Sequence, residues 1–262
     1  MDDSCFDFFR TDCYNRQNKG GAFVLLHEFD PNKDAVINPE MLVNKIEDFP
    51  DVTVSCFSKK LFNNVLSFFD PKQITEVHSA VGLTPVYEVV YQGERFAFYQ
   101  SYVGEPKCIG DYEDIMAMGS KCLILLGNCG VLDRTIEDCG IIIPTKAIRD
   151  EGASYHYAPP SDYIEIQNHE KIAAIFEELH FPYVKGRVWT TDAFLRETAG
   201  QVAMRQKEGC IAVEMELAGV QSVCDYYGFA LYDFLVTGDV LSEEKYEVES
   251  FNDANHNLDK FY

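Results

Sequence analysis

Residues 210–220 read CIAVEMELAGV and leave the backbone around them few options. Ile211, Ala212 and Val213 close an apolar run of strand character. Leu217 to Val220 then turn small and apolar, as a helix start packed closely on a sheet does. Glu214 and Glu216 stand at the junction, with Met215 between them. A buried carboxylate is costly unless a donor or an opposite charge meets it. Two of them at the mouth of a buried strand therefore call for donors, from the start of the following helix or from a ligand.

The same strand-then-helix pattern recurs along the chain. Residues 22–29 (AFVLLHEF) form a continuous apolar run that predicts a first buried strand, ended by the turn signal Asp30-Pro31. Residues 40–46 and 60–69 carry helical spacing, the second stopped by Asp70-Pro71. Residues 86–91 and 95–103 flank Gln92-Gly93-Glu94 as a hairpin, and residues 111–118 read as a short helix. Residues 121–126 (KCLILL) give the clearest buried strand, closing on a loop at Gly127-Asn128-Cys129-Gly130. A strand at 139–143 ends at Pro144, and Asn168 is placed to cap a helix running to about His180. Residues 184–194 form a strand with its exit loop, 196–207 a helix, 210–213 a strand, and 229–236 a strand ending at Thr237-Gly238-Asp239.

Strands alternating with helices imply a mainly parallel or mixed sheet covered on both faces. One domain over residues 21–262, preceded by a polar extension at 1–20, fits a chain of 262 residues. The formal net charge of −21 makes nucleic acid and anionic membrane surfaces poor partners. No apolar run approaches the ~18 residues of a membrane-spanning helix. The first residues, MDDSCFDFFRTDC, carry acids where a secretion signal has bases. Nine scattered cysteines without a CxxC spacing point to reduced thiols in the cytoplasm.

In such sheets ligands bind beyond the carboxyl ends of the strands. The polar residues gather there: Asp30, Gly127 to Gly130, Thr191-Asp192, Glu214 to Glu216, and Gly238-Asp239. Carboxylates at one sheet edge, with almost no histidine, suit recognition of a polyol such as ribose and acid catalysis. Metal-ligand spacing, a GxSxG elbow and a P-loop are all missing from the sequence, so no metal and no cofactor is expected.

The run Ala212-Val213-Glu214-Met215-Glu216-Leu217-Ala218-Gly219 resembles the ribose-binding signature of the nucleoside phosphorylase-I family. That family includes purine nucleoside and uridine phosphorylases and the methylthioadenosine/adenosylhomocysteine nucleosidases. Residues 149–159 (RDEGASYHYAP) resemble a loop of its bacterial uridine-phosphorylase-like members, and residues 189–194 with 196–198 resemble the base-pocket segment. Thr237-Gly238-Asp239 resembles the segment after the last core strand, and Phe251-Asn252-Asp253 the start of a C-terminal helix. The resemblance implies a three-layer α/β/α sandwich with a central mixed sheet, assembled as a homo-oligomer, either a dimer or a hexamer built as a trimer of dimers. It implies a nucleoside phosphorylase that cleaves the N-glycosidic bond with inorganic phosphate, giving free base and pentose 1-phosphate.

Carried over by position, Met215 and Glu216 hold the ribose, with Glu214 in a less direct role. A carboxylate suits the work because it accepts from two adjacent hydroxyls at once. Phe194 stacks on the base, with Arg196 and Glu197 beside it. Asp239 matches the acid that protonates or hydrogen-bonds purine N7, which tilts the substrate toward purines.

The departures gather on the phosphate side, where Glu28, Asp30, Lys33, Gly127 and Asn128 are the candidates. Family phosphorylases place Gly-Asp-Pro after the first strand with an Arg two residues on; the corresponding stretch here is Phe29-Asp30-Pro31-Asn32-Lys33. An expected Arg falls at Leu125, and another near Gly82. Lys33, Lys107 and Arg149 are the cations that could substitute. Two other readings follow: a nucleosidase that activates water through Glu28 or Asp30, and a nucleoside-binding protein without turnover.

Overall fold

Val52–Cys56 (β1) is the inner strand that fixes the sheet, because it pairs in parallel with both Glu94–Gln100 (β4) and Cys122–Val131 (β5). The computed structural model describes residue 26 and residues 28–80, 82–133, 135–136 and 140–241. Much of the expected strand at 22–29, the extension at 1–20 and Phe251 to Asp253 lie outside the described residues.

Between those strands come the helix Lys59–Phe69 (α2), then Lys72–Ser79 (β2) and Gly82–Tyr91 (β3). A single turn, Pro39–Leu42 (α1), precedes β1, and Glu105–Met118 (α3) precedes β5. After β5 follow Ile141–Asp150 (β6), Tyr163–Glu165 (β7), His169–Glu178 (α4), Val184–Thr191 (β8) and Ala199–Lys207 (α5). Cys210–Glu214 (β9), Leu217–Tyr227 (α6) and Ala230–Val240 (β10) complete the order.

The mixed sheet runs β10-β6-β8-β9-β5-β1-β4-β3-β2, with β7 on β6. β10 also pairs with β5, so β5, β9, β8, β6 and β10 close into a ring while β1 to β4 extend from it. Helices α3 and α6 pack through Ile109, Tyr112, Ile115, Val220 and Val223 onto the face bearing Leu123, Leu125, Val188 and Ala212. On the other face, Phe62 of α2 covers Cys56, Val89 and Phe98, and Ile172 of α4 covers Ile141 and Ile143. Val202 of α5 covers Trp189 and Val213. These are the three expected layers, each apolar helix stripe burying one face of the sheet. The Phe62 and Phe98 rings stack at 5.4 Å, and burying one such side chain contributes roughly 2–3 kcal/mol.

Several expectations are corrected. Leu26 lies in a 3-10 turn and Glu28 to Asp30 carry no regular structure, so the first described strand is β1, not residues 22–29. β1 escapes an apolar-run search because Thr53 and Ser55 are buried in it; Thr53 donates to Ser120 Oγ at 2.8 Å. The helix expected at 40–46 is only one turn, and α3 begins at Glu105 rather than 111. Strand β2 has no counterpart in the sequence reading. β5 runs through Gly127-Asn128-Cys129-Gly130, where a loop is expected. A Cβ on Gly127 meets Leu235 Cδ2 at 2.5 Å, and one on Gly130 meets Leu241 Cδ1 at 2.2 Å, so both glycines let neighbouring side chains lie flat on the strand. Likewise β6 continues past Pro144 with a register shift, and β10 runs through Gly238-Asp239 to Val240. Asn168 does occupy the N-cap of α4, but with a left-handed φ of 57° and with its side-chain amide donating to Leu231 O rather than its side chain accepting from a helix amide.

Candidate active site

The junction at residues 214–219 is held by its own Glu214 and by side chains of two other elements. A helix leaves its first amides without intrahelical partners. Here Glu216 N and Leu217 N both donate to Glu214 Oε2 at 2.7 Å. Ala218 N donates to Thr190 Oγ1 of β8 at 3.2 Å, and Gly219 N donates to Glu105 Oε1 of α3 at 2.7 Å. The Thr190 hydroxyl in turn donates to Glu214 Oε1. Glu214 therefore turns inward with both oxygens engaged, behind Glu216, and burial pushes its carboxyl up to about 7 against those donors.

Glu216 occupies the N-cap of α6 and is 6% exposed. Its Oε1 accepts from Gly104 N at 2.7 Å, and Gly104 has a φ of 99°, a conformation that favours glycine. A carboxylate offers about four acceptor positions, so one amide leaves room for hydroxyls. Burial, then the charge of Glu214, pushes Glu216 up to about 8. Glu105 has no exposed surface, and burial followed by the adjacent Glu151 carboxyl pushes it up to about 12. Glu151 itself accepts from Ser154 N at 2.9 Å and from the Ser154 hydroxyl.

Asp239 lies at the same edge. Gly130 of β5 pairs with Val213 of β9 on one side, and Asp239 Oδ1 sits 3.5 Å from a Cβ position on Gly130. Two strand spacings separate Asp239 from Glu214, about 10 Å, the length of a nucleoside. Phe194 and Arg196 form a short 3-10 turn beyond β8; Phe194 is 59% exposed, and Arg196 is exposed too. Glu197 closes that turn and faces Asp239; burial first, then the Asp239 charge, pushes it up to about 7. Met215 follows directly on β9 and is half-buried. The structure thus brings Met215, Glu216, Phe194, Glu197 and Asp239 to one end of the sheet.

Other expected residues lie elsewhere. Lys33 Nζ donates to Tyr226 O at 2.5 Å and lies 5.0 Å from the centre of that ring. Tyr226 is at the far end of α6, about 15 Å along the helix from Glu216. Asp30 and Lys33 line a cavity of about 700 Å³ there, with Asp111, Glu113, Tyr157 and Tyr227. Glu28 is exposed in the segment leading to it. Asp30 and Lys33 thus lie at the far end of α6 from Glu216, and none of the three follows a described strand of the sheet.

The residues after the first described strand are Phe57 and Ser58. Phe57 O accepts from Gln100 Nε2 at 3.1 Å, and Ser58 Oγ accepts from Leu61 N at 3.2 Å, capping α2. Gly127 and Asn128 lie on β5 rather than in a flexible loop, Asn128 paired with Val236. Leu125 is 2% exposed in the apolar core. Among the described residues Arg149 is the one buried cation, and its guanidinium donates to Ser154 Oγ and Pro159 O, both at 2.7 Å. Lys107 pairs with Asp111. Both substitutes are thus held by the protein's own groups.

Thr190, Gly104, Glu105 and Glu151 are site residues that the sequence reading missed. Gly104-Glu105-Pro106 carried a usable signal, since glycine followed by proline suits a helix start.

A model for the phosphorylase superfamily matches residues 80–260. The chain is 28% identical over 192 residues to a purine nucleoside phosphorylase DeoD-type of Shewanella baltica (strain OS155), covering 70% of this chain and 79% of the relative. The same identity and coverage hold for purine nucleoside phosphorylase DeoD-type 2 of Shewanella oneidensis. The fold is that of a purine nucleoside phosphorylase from Toxoplasma gondii in complex with immucillin-H, with a TM-score of 0.67 at 19% identity, covering 81% of this chain and 88% of that one. A uridine phosphorylase from Vibrio fischeri superposes with a TM-score of 0.68 at 19% identity, covering 82% and 88%. With the ordered motifs, the sheet and the carboxylate-lined edge in agreement, the chain belongs to the phosphorylase superfamily.

Proposed function

We propose that this protein is a nucleoside phosphorylase acting on a purine nucleoside, releasing the free base and a pentose 1-phosphate. The observation that carries the reading is Glu216, buried at the start of α6 with one oxygen aimed by Gly104 N, at the same end of the sheet as Asp239. In this reading the Glu216 carboxylate accepts from the 2′ and 3′ hydroxyls and stabilises the positive charge that develops at C1′. Asp239 supplies a proton or hydrogen bond to N7, because a departing purine anion is a poor leaving group. Phe194 stacks on the base from the rim. Phosphate, the co-substrate, meets the sugar from the side of β1 and β5. We also infer a homo-oligomer, as the family resemblance implies, and a cytoplasmic setting, which the six free cysteines among the described residues support. Among the described residues no helix is long and apolar enough to cross a membrane.

One observation favours a second reading, cleavage by water. The edge is lined by the buried acids Glu105, Glu151, Glu214, Glu216 and Asp233, and Leu125 occupies the place of an expected arginine. Such surroundings accept a neutral nucleophile more readily than an anion. Incubation with inosine, adenosine, uridine and methylthioadenosine, with and without phosphate, separates the readings. Purine release that depends on phosphate is the expected result. Equal release without phosphate sinks phosphorolysis in favour of hydrolysis, and nucleoside binding without release leaves a binding protein.

A further inference from the structure

The first turns of α3 and α6 meet end to end, although helix N-termini carry partial positive charge of the same sign. Two hydrogen bonds resolve the conflict by exchange. Gly104 N, at the start of α3, donates to the carboxylate of Glu216, and Gly219 N, at the start of α6, donates to the carboxyl of Glu105. Both are 2.7 Å long and join residues more than a hundred positions apart. Each helix start thus carries the acid that satisfies the other.

The sequence at position 219 fits this contact independently. A Cβ there lies 2.6 Å from the Glu105 carboxyl carbon, 2.7 Å from Oε2 and 2.8 Å from Ile109 Cδ1. Gly219 is therefore the residue that lets Glu105 approach. The charged and titratable groups around Glu105 are Glu151 and Arg149 at the end of β6, Glu214 at the end of β9, and Cys108 on its own helix. A carboxyl with no exposed surface beside two other acids is an expensive choice for packing alone.

We propose that Glu105 is a positioning residue for sugar recognition: through the reciprocal pair of hydrogen bonds it fixes the Glu216 carboxylate in the orientation that receives the ribose hydroxyls. The proposal rests on the nucleoside reading of the site. Glu105 touches no substrate; it acts through the start of α6. Its effect therefore falls on ligands that carry the sugar and spares the free base.

The test compares Glu105→Met, which keeps the length and removes the acceptor, with Glu105→Gln, which keeps an acceptor for Gly219 N. Calorimetric affinities for inosine and for hypoxanthine are measured on folded protein of unchanged oligomeric state. The Met variant is expected to bind inosine about tenfold more weakly while its hypoxanthine affinity stays within about twofold. The Gln variant is expected to restore inosine binding to within about threefold of the parent. An unchanged ratio of inosine to hypoxanthine affinity in Glu105→Met overturns the proposal alone. If that variant fails to fold, Gly219→Ala, which displaces the Glu105 carboxyl, carries the same expectation and the same refutation. A parent protein that binds hypoxanthine but no nucleoside overturns the ribose reading and the positioning role together.

Discussion

Asp239→Asn is expected to lower the rate of purine nucleoside cleavage by about 10²-fold or more, the usual scale of a general acid's contribution. Asparagine keeps the size and a hydrogen-bond donor, so the base still binds, but it cannot surrender a proton to N7. The loss should therefore appear in kcat more than in KM. A 7-methylpurine nucleoside provides the control: its ring is already cationic and needs no proton, so the variant should cleave it at close to the parent rate. Glu197 adds a pH dependence. Burial and the facing Asp239 charge push its carboxyl up to about 7, so below that pH Glu197 carries a proton beside Asp239. Raising the pH through about 7 removes it, and purine cleavage should decline there in the parent protein. Wild-type rates in Asp239→Asn on inosine would end the purine assignment.

Glu216→Gln should have two opposite effects. Losing the charge weakens the hydrogen bonds from the sugar hydroxyls and the stabilisation of the cationic C1′, for an expected fall of about 10²-fold in kcat/KM. Stability should move the other way. In the fold the Glu216 carboxyl is raised from 4.5 to about 8, by burial first and Glu214 second. A raised carboxyl means that the folded chain holds a proton which the unfolded chain has released. The stability it confers is complete below about pH 4.5 and is lost as pH rises through about 8. By about pH 8 the loss is on the order of 4 kcal/mol, less what Glu214 shares. Glutamine does not titrate, so the melting temperature of Glu216→Gln should gain on the parent by several degrees between pH 5 and pH 8. Parallel melting curves across that range would contradict the burial of this carboxylate, and unchanged kinetics would remove it from the sugar site.

Both variants probe residues that the chain declares locally. Glu214-Met215-Glu216 sits between an apolar strand and a helix of small residues, and a two-residue junction of that kind can face only the carboxyl end of that strand. Asp239 was legible for the same reason, although β10 continues through it to Val240. Hairpin β3–β4, helix α2, and strands β8 and β9 likewise follow from period and turn chemistry within a few residues.

The phosphate side shows the limit. Residues 22–29 make the stronger apolar run, yet the strand beside β5 is Val52–Cys56, whose Thr53 and Ser55 look polar until Ser120 and Tyr99 are brought beside them. Pairing in a sheet is a contact between distant segments, and local hydrophobicity does not encode it. Asp30 and Lys33, expected just beyond that run, lie instead at the far end of α6.

The amino-acid sequence alone determined the family, the alternation of strands and helices, and the acids gathered at one end of the sheet, because each is written in a short contiguous motif. Only the tertiary structure decided which strand pairs beside β5, why β5 carries glycines within a strand, and that Glu105 reaches Gly219 across 114 positions. Those features depend on the distance between segments far apart in the chain, which exists only once the sheet has closed and α3 and α6 have packed on it.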